Sequence, residues 1–367
     1  MEFPREITVI QAVVIQISTM IGVGILSFPR IAVDAGGTGA PFVTLMGMVV
    51  AFFGLLLITI LGTRFPEQSV IRYSEVIAGK FLGRVGSLLI ISYFLVITGL
   101  NARLFSEVVN VAILKSTPIE MIVLILLLLA AISARNDIKT FAYIHLFYLP
   151  FIPLPGLLIF TTALKNADWI NLQPLWGNQI SGMGMLTGIL SIAALCQGSF
   201  VFTMVIPSMR RPQKAMQASI WGMSITAIAY IIVVAIVVAV FGPEETMQLL
   251  WPTFELARNT FFPANVLERM DVLFLIGWLI VVYTTLYSNY FLTVRGASEL
   301  FRLRDDRMLT LFGFPFAFWI AMLPQNVSQL YQILGFVGIS GFTITIIYPL
   351  ILLVVAVIRK KKGRRNS

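Results

Sequence analysis

Cysteine and histidine are almost missing from this 367-residue chain, which has one of each, Cys196 and His145. A single cysteine excludes an internal disulfide and a dithiol redox motif. Together the two exclude a His/Cys structural metal site. Charge is also scarce, at 12% of residues, where a soluble domain carries about a quarter. There is no phosphate-binding glycine loop, no zinc-protease helix motif and no nucleophile elbow. An enzyme is therefore not expected, and neither a cofactor nor a metal is called for.

What is present is apolar: 58% hydrophobic residues and a mean hydropathy of +0.91. A chain of that make-up needs lipid as its solvent. Only helices and closed barrels satisfy their backbone there. Barrel strands would alternate apolar and polar residues, whereas Ile122–Ala131 and Tyr230–Phe241 are nearly continuous apolar runs. The expectation is an all-α polytopic membrane protein of about ten transmembrane helices. The cuts made by charges and turn residues place the spans at 7–29, 40–62, 85–114, 119–134, 140–164, 183–208, 215–241, 266–300, 308–324 and 327–358. The segment Met1–Thr8 leads into an apolar stretch without a small-residue cleavage signature, so that stretch reads as a retained first span.

Positive charge sets the orientation. With the N-terminus cytoplasmic, the inner segments collect twenty of the 26 Lys and Arg. They run from Arg5 through Arg64–Arg84, Arg135–Lys139, Arg210–Lys214 and Arg295–Arg307 to the tail at Arg359–Arg365. The other side holds Arg30, Lys115, Lys165, Arg258 and Arg269. The net charge of +9 is then topology plus attraction to anionic membrane lipid, not nucleic-acid binding. Residues 65–83 read as an interfacial helix and 242–265 as an external helical lid, or both as ordinary connectors.

Two spans carry glycine among polar residues at mid-depth. Span one reads Gln16-Ile-Ser-Thr-Met-Ile-Gly-Val-Gly-Ile-Leu-Ser-Phe-Pro29, and span six reads Leu195-Cys-Gln-Gly-Ser-Phe-Val-Phe-Thr-Met-Val-Ile-Pro207. Each glycine alone could serve close helix packing. As a pair they mark the first spans of two five-span halves, and matched interruptions in inverted halves point to a transporter-type site at the midplane. The chain is accordingly read as one transmembrane domain over 1–367. A first inverted repeat covers 7–164, a second covers 183–358, and a basic cytoplasmic tail covers 359–367. The amides of Gly22, Val23, Gly24 and Ile25 would start a half-helix able to hold a carboxylate. Carbonyls near Thr19 and Met20, and near Ala194 and Leu195, could hold an ammonium. Neither break contains Asp, Glu, Lys or Arg, which suits a ligand that brings both charges itself.

Other residues have two readings. Arg103 and Glu107 in span three are four apart and can pair, as a functional intramembrane pair or a structural one. Span eight carries Tyr283, Thr284, Thr285, Tyr287, Ser288 and Asn289, which could line a pocket, an ion site or a water path, or simply hydrogen-bond between helices. His145 could relay protons or be a packing residue. Pro150, Pro153 and Pro155 kink span five. Cys196 reads as a small buried hydrophobe.

The chain resembles the B subunit of bacterial spore germinant receptors, within the amino acid–polyamine–organocation transporter superfamily. The residues that carry the resemblance are Met20-Ile-Gly-Val-Gly-Ile-Leu-Ser-Phe-Pro29, Arg64-Phe-Pro-Glu-Gln68 with Tyr73-Ser-Glu75, and Leu172-Gln-Pro-Leu-Trp-Gly177. Pro252-Thr-Phe-Glu-Leu256, Glu268-Arg-Met-Asp271 and Thr284-Thr-Leu-Tyr-Ser-Asn289 complete the set. The resemblance implies a leucine-transporter-like inverted-repeat fold with helices one and six broken. It also implies a place in the inner membrane of an endospore, with both termini on the core side. A larger membrane A subunit and a lipoprotein C subunit would be its partners. The germinant, often an L-amino acid, would meet Gly22, Val23, Gly24 and Ile25 of span one and Gln197, Gly198, Ser199 and Phe200 of span six. Thr98 and Asn101 of span three and Tyr287 of span eight would add contacts. The physics of the sequence alone favours an amino acid permease, because the chemistry of the breaks is the same; only the resemblance shifts the weight to a receptor. The remaining alternative is a structural or water- or ion-path subunit that binds no ligand.

Overall fold

The computed structural model describes residues 5–177, 182–260, 270–303 and 305–363. Seven helical stretches are long and apolar enough to cross a bilayer, and the shorter apolar helices Val9–Met20, Ile119–Ser133 and Arg307–Met322 complete the set. Together they give ten spans among the described residues. Span one is Val9–Met20, a 3-10 turn Val23–Leu26 and Phe28–Gly36. Spans two to four are Ala40–Arg64, Lys80–Ala112 and Ile119–Ser133. Span five joins Ile138–Tyr148 to Pro153–Ala163, and span six joins Gly182–Leu195 through the 3-10 stretch Cys196–Val201 to Phe202–Val205. Span seven is Ala215–Gln248, eight is Met270–Phe301 and nine is Arg307–Met322. Span ten is Val327–Phe342 and Tyr348–Ile358 with a π turn, Thr343–Ile347, between them. No strand occurs among the described residues, only a single parallel bridge between Ile7 and Met209.

The sequence expectation ended span one at Pro29, but its second half runs to Gly36. Pro29 sits in the first turn of that half, where its missing N–H is no loss and its fixed φ favours the helix. It is a start signal that was read as a stop. Span one begins on a capping box, with Thr8 and Gln11 each satisfying the other's backbone amide. The amides of Glu6 and Ile7 donate to the Ser208 carbonyl at 2.9 Å, and the Arg210 amide returns to the Ile7 carbonyl at 2.9 Å. The entrance of span one is thus tied to the exit of span six, so the two interrupted spans run in opposite directions.

The interfacial helix is present as Val70–Ala78. It is clamped to the N-terminal face of the bundle. Arg64 donates from Nε to the Lys361 carbonyl at 2.6 Å and from a terminal nitrogen to the Ala356 carbonyl at 3.1 Å, capping the end of span ten. Arg359 caps the interfacial helix through the Ile77 carbonyl at 3.0 Å. Ser69 donates to the buried Glu299 carboxylate at the end of span eight. On the opposite face span seven turns at Gly242, whose φ of 73° favours glycine, ahead of Pro243. A separate short helix follows at Pro252–Arg258. The expected lid is therefore built of helix over its described part; its final residues, 261–265, lie outside the described residues, as do Arg269, Arg304, Arg364 and Arg365 and the start of the Glu268–Asp271 motif.

Span five starts on Asp137, whose carboxylate accepts from the Thr140 amide at 2.8 Å. That hydrogen bond, more than the nearby Arg295 and Lys139, holds the carboxyl below its ordinary value of 3.8. A carboxyl lowered by folding stabilises the fold above its unfolded pKa, and that contribution disappears as pH falls through the folded value. Asp137→Ala is expected to cost about 1 kcal/mol at neutral pH. The gap between wild type and variant should narrow as pH falls through the lowered carboxyl value, as read from thermal unfolding in detergent across a pH series.

Candidate functional site

The winding of span one fails for a local reason. Gly22 adopts φ −101°, ψ −152° after Ile21 at φ −75°, ψ 74°, both outside the helical region. The carbonyls orphaned at the end of the first half-helix are not left bare. Thr284 Oγ1 donates to the Ser18 carbonyl at 3.2 Å and Thr285 Oγ1 lies 3.4 Å from the Ser18 and Thr19 carbonyls. The Met20 carbonyl accepts from Tyr230 OH at 3.1 Å and from the Gly22 amide at 2.8 Å. Of the carbonyls read from sequence as an ammonium cradle, that of Met20 is therefore engaged by span seven, while Thr285 Oγ1 near the Thr19 carbonyl has a closer acceptor in the Val281 carbonyl at 3.0 Å. The next half-helix differs: the amide of Gly24 has no acceptor among the described residues. It is one of the first donors of a helical segment, where the dipole favours an anion.

Span six is interrupted in a different way. It does not open but tightens into the 3-10 stretch Cys196–Val201. A Cβ built on Gly198 would stand 2.5 Å from the Thr19 carbonyl oxygen, inside any real contact. Gly198 is thus where span six presses backbone to backbone on span one. A Cβ on Gly24 would meet only Leu195 Cδ2 at 3.7 Å, so this position opens onto space.

That space is a cavity of about 580 Å³. Thr19, Gly22 and Gly24 border it from span one, Asn101 from span three, and Gln197 and Gly198 from span six. The cavity uses span one from Thr19 onward, span six up to Gly198 and span ten from Tyr331 to Phe342, so it lies between mid-depth and the face away from the N-terminus. Gln197 and Asn289 are among its lining residues, and the buried oxygens Gln197 Oε1 and Asn289 Oδ1 have no hydrogen-bond partner among the described residues. Such oxygens are costly in an apolar interior. The remaining wall is largely apolar, including Ile97, Leu104, Leu190, Ile339 and Phe342.

The other residues expected at the site are placed elsewhere. Thr98 is buried and its hydroxyl returns to the Phe94 carbonyl at 2.7 Å. Phe200 is buried against Phe94, ring centroids 5.5 Å apart, and Ser199 is buried beside it. Ile25 gives its carbonyl to Thr253 Oγ1 of the outer helix at 2.8 Å. Tyr287 packs into an aromatic group with Phe141 and His145, at 4.9 and 5.7 Å. On a helix, residues two apart point to nearly opposite sides. Span eight therefore reaches the cavity with Thr285 and Asn289, one turn apart, and turns Tyr287 away.

Span ten and Tyr230 were not singled out from sequence. Their signals were faint: glycines at every third position, Gly335, Gly338 and Gly341, and one hydroxyl at the edge of an apolar run. Gly341 lies against Tyr93 OH and Gln197 Oε1. Cys196 is buried, its Sγ 3.5 Å from Met48 Sδ. Among the described residues no group of acidic, His or Cys side chains could hold a metal ion.

The fold has solved counterparts. Mhp1, a nucleobase-cation-symport-1 family transporter in a closed conformation with bromovinylhydantoin bound, superposes with a TM-score of 0.70 at 13% identity, covering 91% of this chain and 76% of that one. A Na⁺-coupled sialic acid symporter in a substrate-bound outward-open state gives 0.66 at 10% identity, covering 93% and 78%. At these identities the likeness concerns fold: an all-α membrane protein of the leucine-transporter type with interrupted helices one and six. Sequence relatives are of one kind. Spore germination protein YndE of Bacillus subtilis (strain 168) is 26% identical over 361 residues, 97% of this chain and 98% of that protein. Spore germination protein B2 of the same organism is 26% identical over 366 residues, 98% of each. GerLB of Bacillus cereus is 22% identical over 354 residues, 95% and 94%. The family model described as spore germination protein matches residues 6–330, and the chain, an integral membrane protein on a transporter scaffold, belongs to that family.

Proposed function

We propose that this protein is the membrane B-type subunit of a spore germinant receptor and that its cavity binds a small zwitterion, an L-amino acid by preference. One observation carries the reading: the Gly24 amide, with no acceptor among the described residues, stands at the same cavity as the side-chain amides of Gln197 and Asn289, whose oxygens have no partner there. Donors suit a carboxylate, acceptors suit an ammonium, and the apolar wall suits an uncharged side chain. No ionised side chain borders the cavity among the described residues, which suits a ligand that balances its own charge. Occupancy would favour one arrangement of the interrupted spans through differential affinity, and A and C subunits would read the shift. The inner membrane of the spore, with both termini facing the core, is the location that suits this role and the charge distribution.

Gly338→Leu tests the reading. A Cβ there meets only Ala194 Cβ at 3.9 Å, so the protein should accumulate normally while the leucine fills the cavity. The germinant concentration for half-maximal germination is expected to rise at least about tenfold, a loss of roughly 1.4 kcal/mol. An unchanged dose response at normal protein level would place the site elsewhere. The likeness to two symporters favours a second reading, transport. Uptake of labelled amino acid into vesicles holding this chain alone would favour it.

A further inference from the structure

His145 is the only histidine in the chain. It is fully buried in span five, and the binding reading makes no use of it. Its Nδ1 lies 2.8 Å from the Phe141 carbonyl, its Nε2 lies 2.9 Å from Ser288 Oγ, and Ser288 Oγ lies 2.8 Å from Thr19 Oγ1. The three links join span five, span eight and the last turn of span one before its break. Their direction follows from elementary chemistry. A carbonyl can only accept, so Nδ1 carries the proton. No carboxylate hydrogen-bonds the ring among the described residues, and an uncompensated charge at this depth is costly. The ring is therefore neutral and Nε2 is a bare acceptor. Ser288 must donate to it, and the Ser288 lone pairs receive the Thr19 hydroxyl proton.

We propose that His145 is a positioning residue: through Ser288 it commits the Thr19 proton, so that Thr19 cannot donate into the cavity and can only accept there. Such an acceptor favours a ligand that presents an N–H to it and disfavours one that presents a carbonyl oxygen at the same place. This rests on the binding reading, which it deepens.

The single histidine makes the test direct. Full-length protein carrying ¹⁵N-histidine, in lipid bilayers, should show one protonated ring nitrogen, Nδ1, and one bare nitrogen, Nε2, with no minor tautomer. Ser288→Ala should shift the Nε2 resonance and leave Nδ1 protonated. Binding to the same full chain in nanodiscs would then compare L-alanine, L-valine, L-leucine and L-phenylalanine, each with its 2-oxo acid. His145→Leu is expected to reduce the preference for amino acid over 2-oxo acid about tenfold. His145→Gln, whose Oε1 can accept from Ser288, should retain it. A ring protonated at Nε2, turned to the Thr284 carbonyl that also faces it, would reverse both hydroxyls. With amino acids still bound, that result overturns the positioning role alone. Equal losses for both members of each pair would overturn it too, as a purely structural residue does that. A ring locked as described with no amino acid bound would overturn the binding reading and the selectivity drawn from it.

Discussion

Replacing Gly198 with valine is expected to abolish the germinant response and to destabilise the protein, whereas Gly24→Ala should fold normally. Both glycines sit in an interrupted span, yet their surroundings differ. The nearest atom to a Cβ at Gly198 is the Thr19 carbonyl oxygen at 2.5 Å, with Thr19 C at 3.0 Å. Backbone cannot rotate aside as a side chain can. Spans one and six must separate, and overpacking of this kind costs about 1–3 kcal/mol. The displacement would also move Thr19 and Gln197, which border the cavity. At Gly24 the only neighbour is Leu195 Cδ2 at 3.7 Å, an ordinary contact. The measurements are thermal unfolding of detergent-purified protein and germination of spores carrying each variant. A Gly198→Val protein as stable and responsive as wild type would show that the two spans are not in backbone contact.

The second large effect is expected at span three. Arg103 Nε and Glu107 Oε1 are 2.9 Å apart, and each side chain is 9% exposed. Arg103 also reaches Met322 Sδ of span nine at 3.9 Å, and neither residue borders the cavity. Glu107→Ala would leave a guanidinium buried without its counter-charge, a loss of about 3–5 kcal/mol. Arg103→Met combined with Glu107→Leu removes both charges and should recover most of that stability, because the desolvation penalty of the pair goes with it. Yield and unfolding temperature of the three proteins separate the two outcomes. A double variant with normal stability and normal germination would assign the pair to structure, the reading that its distance from the cavity favours. A stable double variant that fails to germinate would give the pair a part in signalling.

Span positions were legible because the lipid constraint is written residue by residue. Each boundary depends on local composition, and span four, expected at 119–134, is found at Ile119–Ser133. The interfacial helix, the Arg103–Glu107 pair and the break before Gly24 were readable for the same reason. The site was readable only in part. Thr19, Gly22, Gly24, Asn101, Gln197 and Gly198 do meet at one cavity. Phe200 and Tyr287 point away from it, because a short motif shows where a helix is interrupted and not which way the neighbouring side chains turn.

By itself the sequence determined that the chain lives in lipid as helices, where they cross, which side collects positive charge and where the winding is weakest. All of these follow from local chemistry: apolar runs, glycines and charges act where they stand. Tertiary structure alone decided what becomes of the exposed backbone. A hydroxyl more than two hundred positions away, on Tyr230, takes up the Met20 carbonyl, and those of Thr284 and Thr285 come within 3.4 Å of the Ser18 and Thr19 carbonyls, while the Gly24 amide is left open among the described residues. A hydrogen bond depends on a partner within about 3 Å, and which distant residue arrives there is settled only when the spans pack.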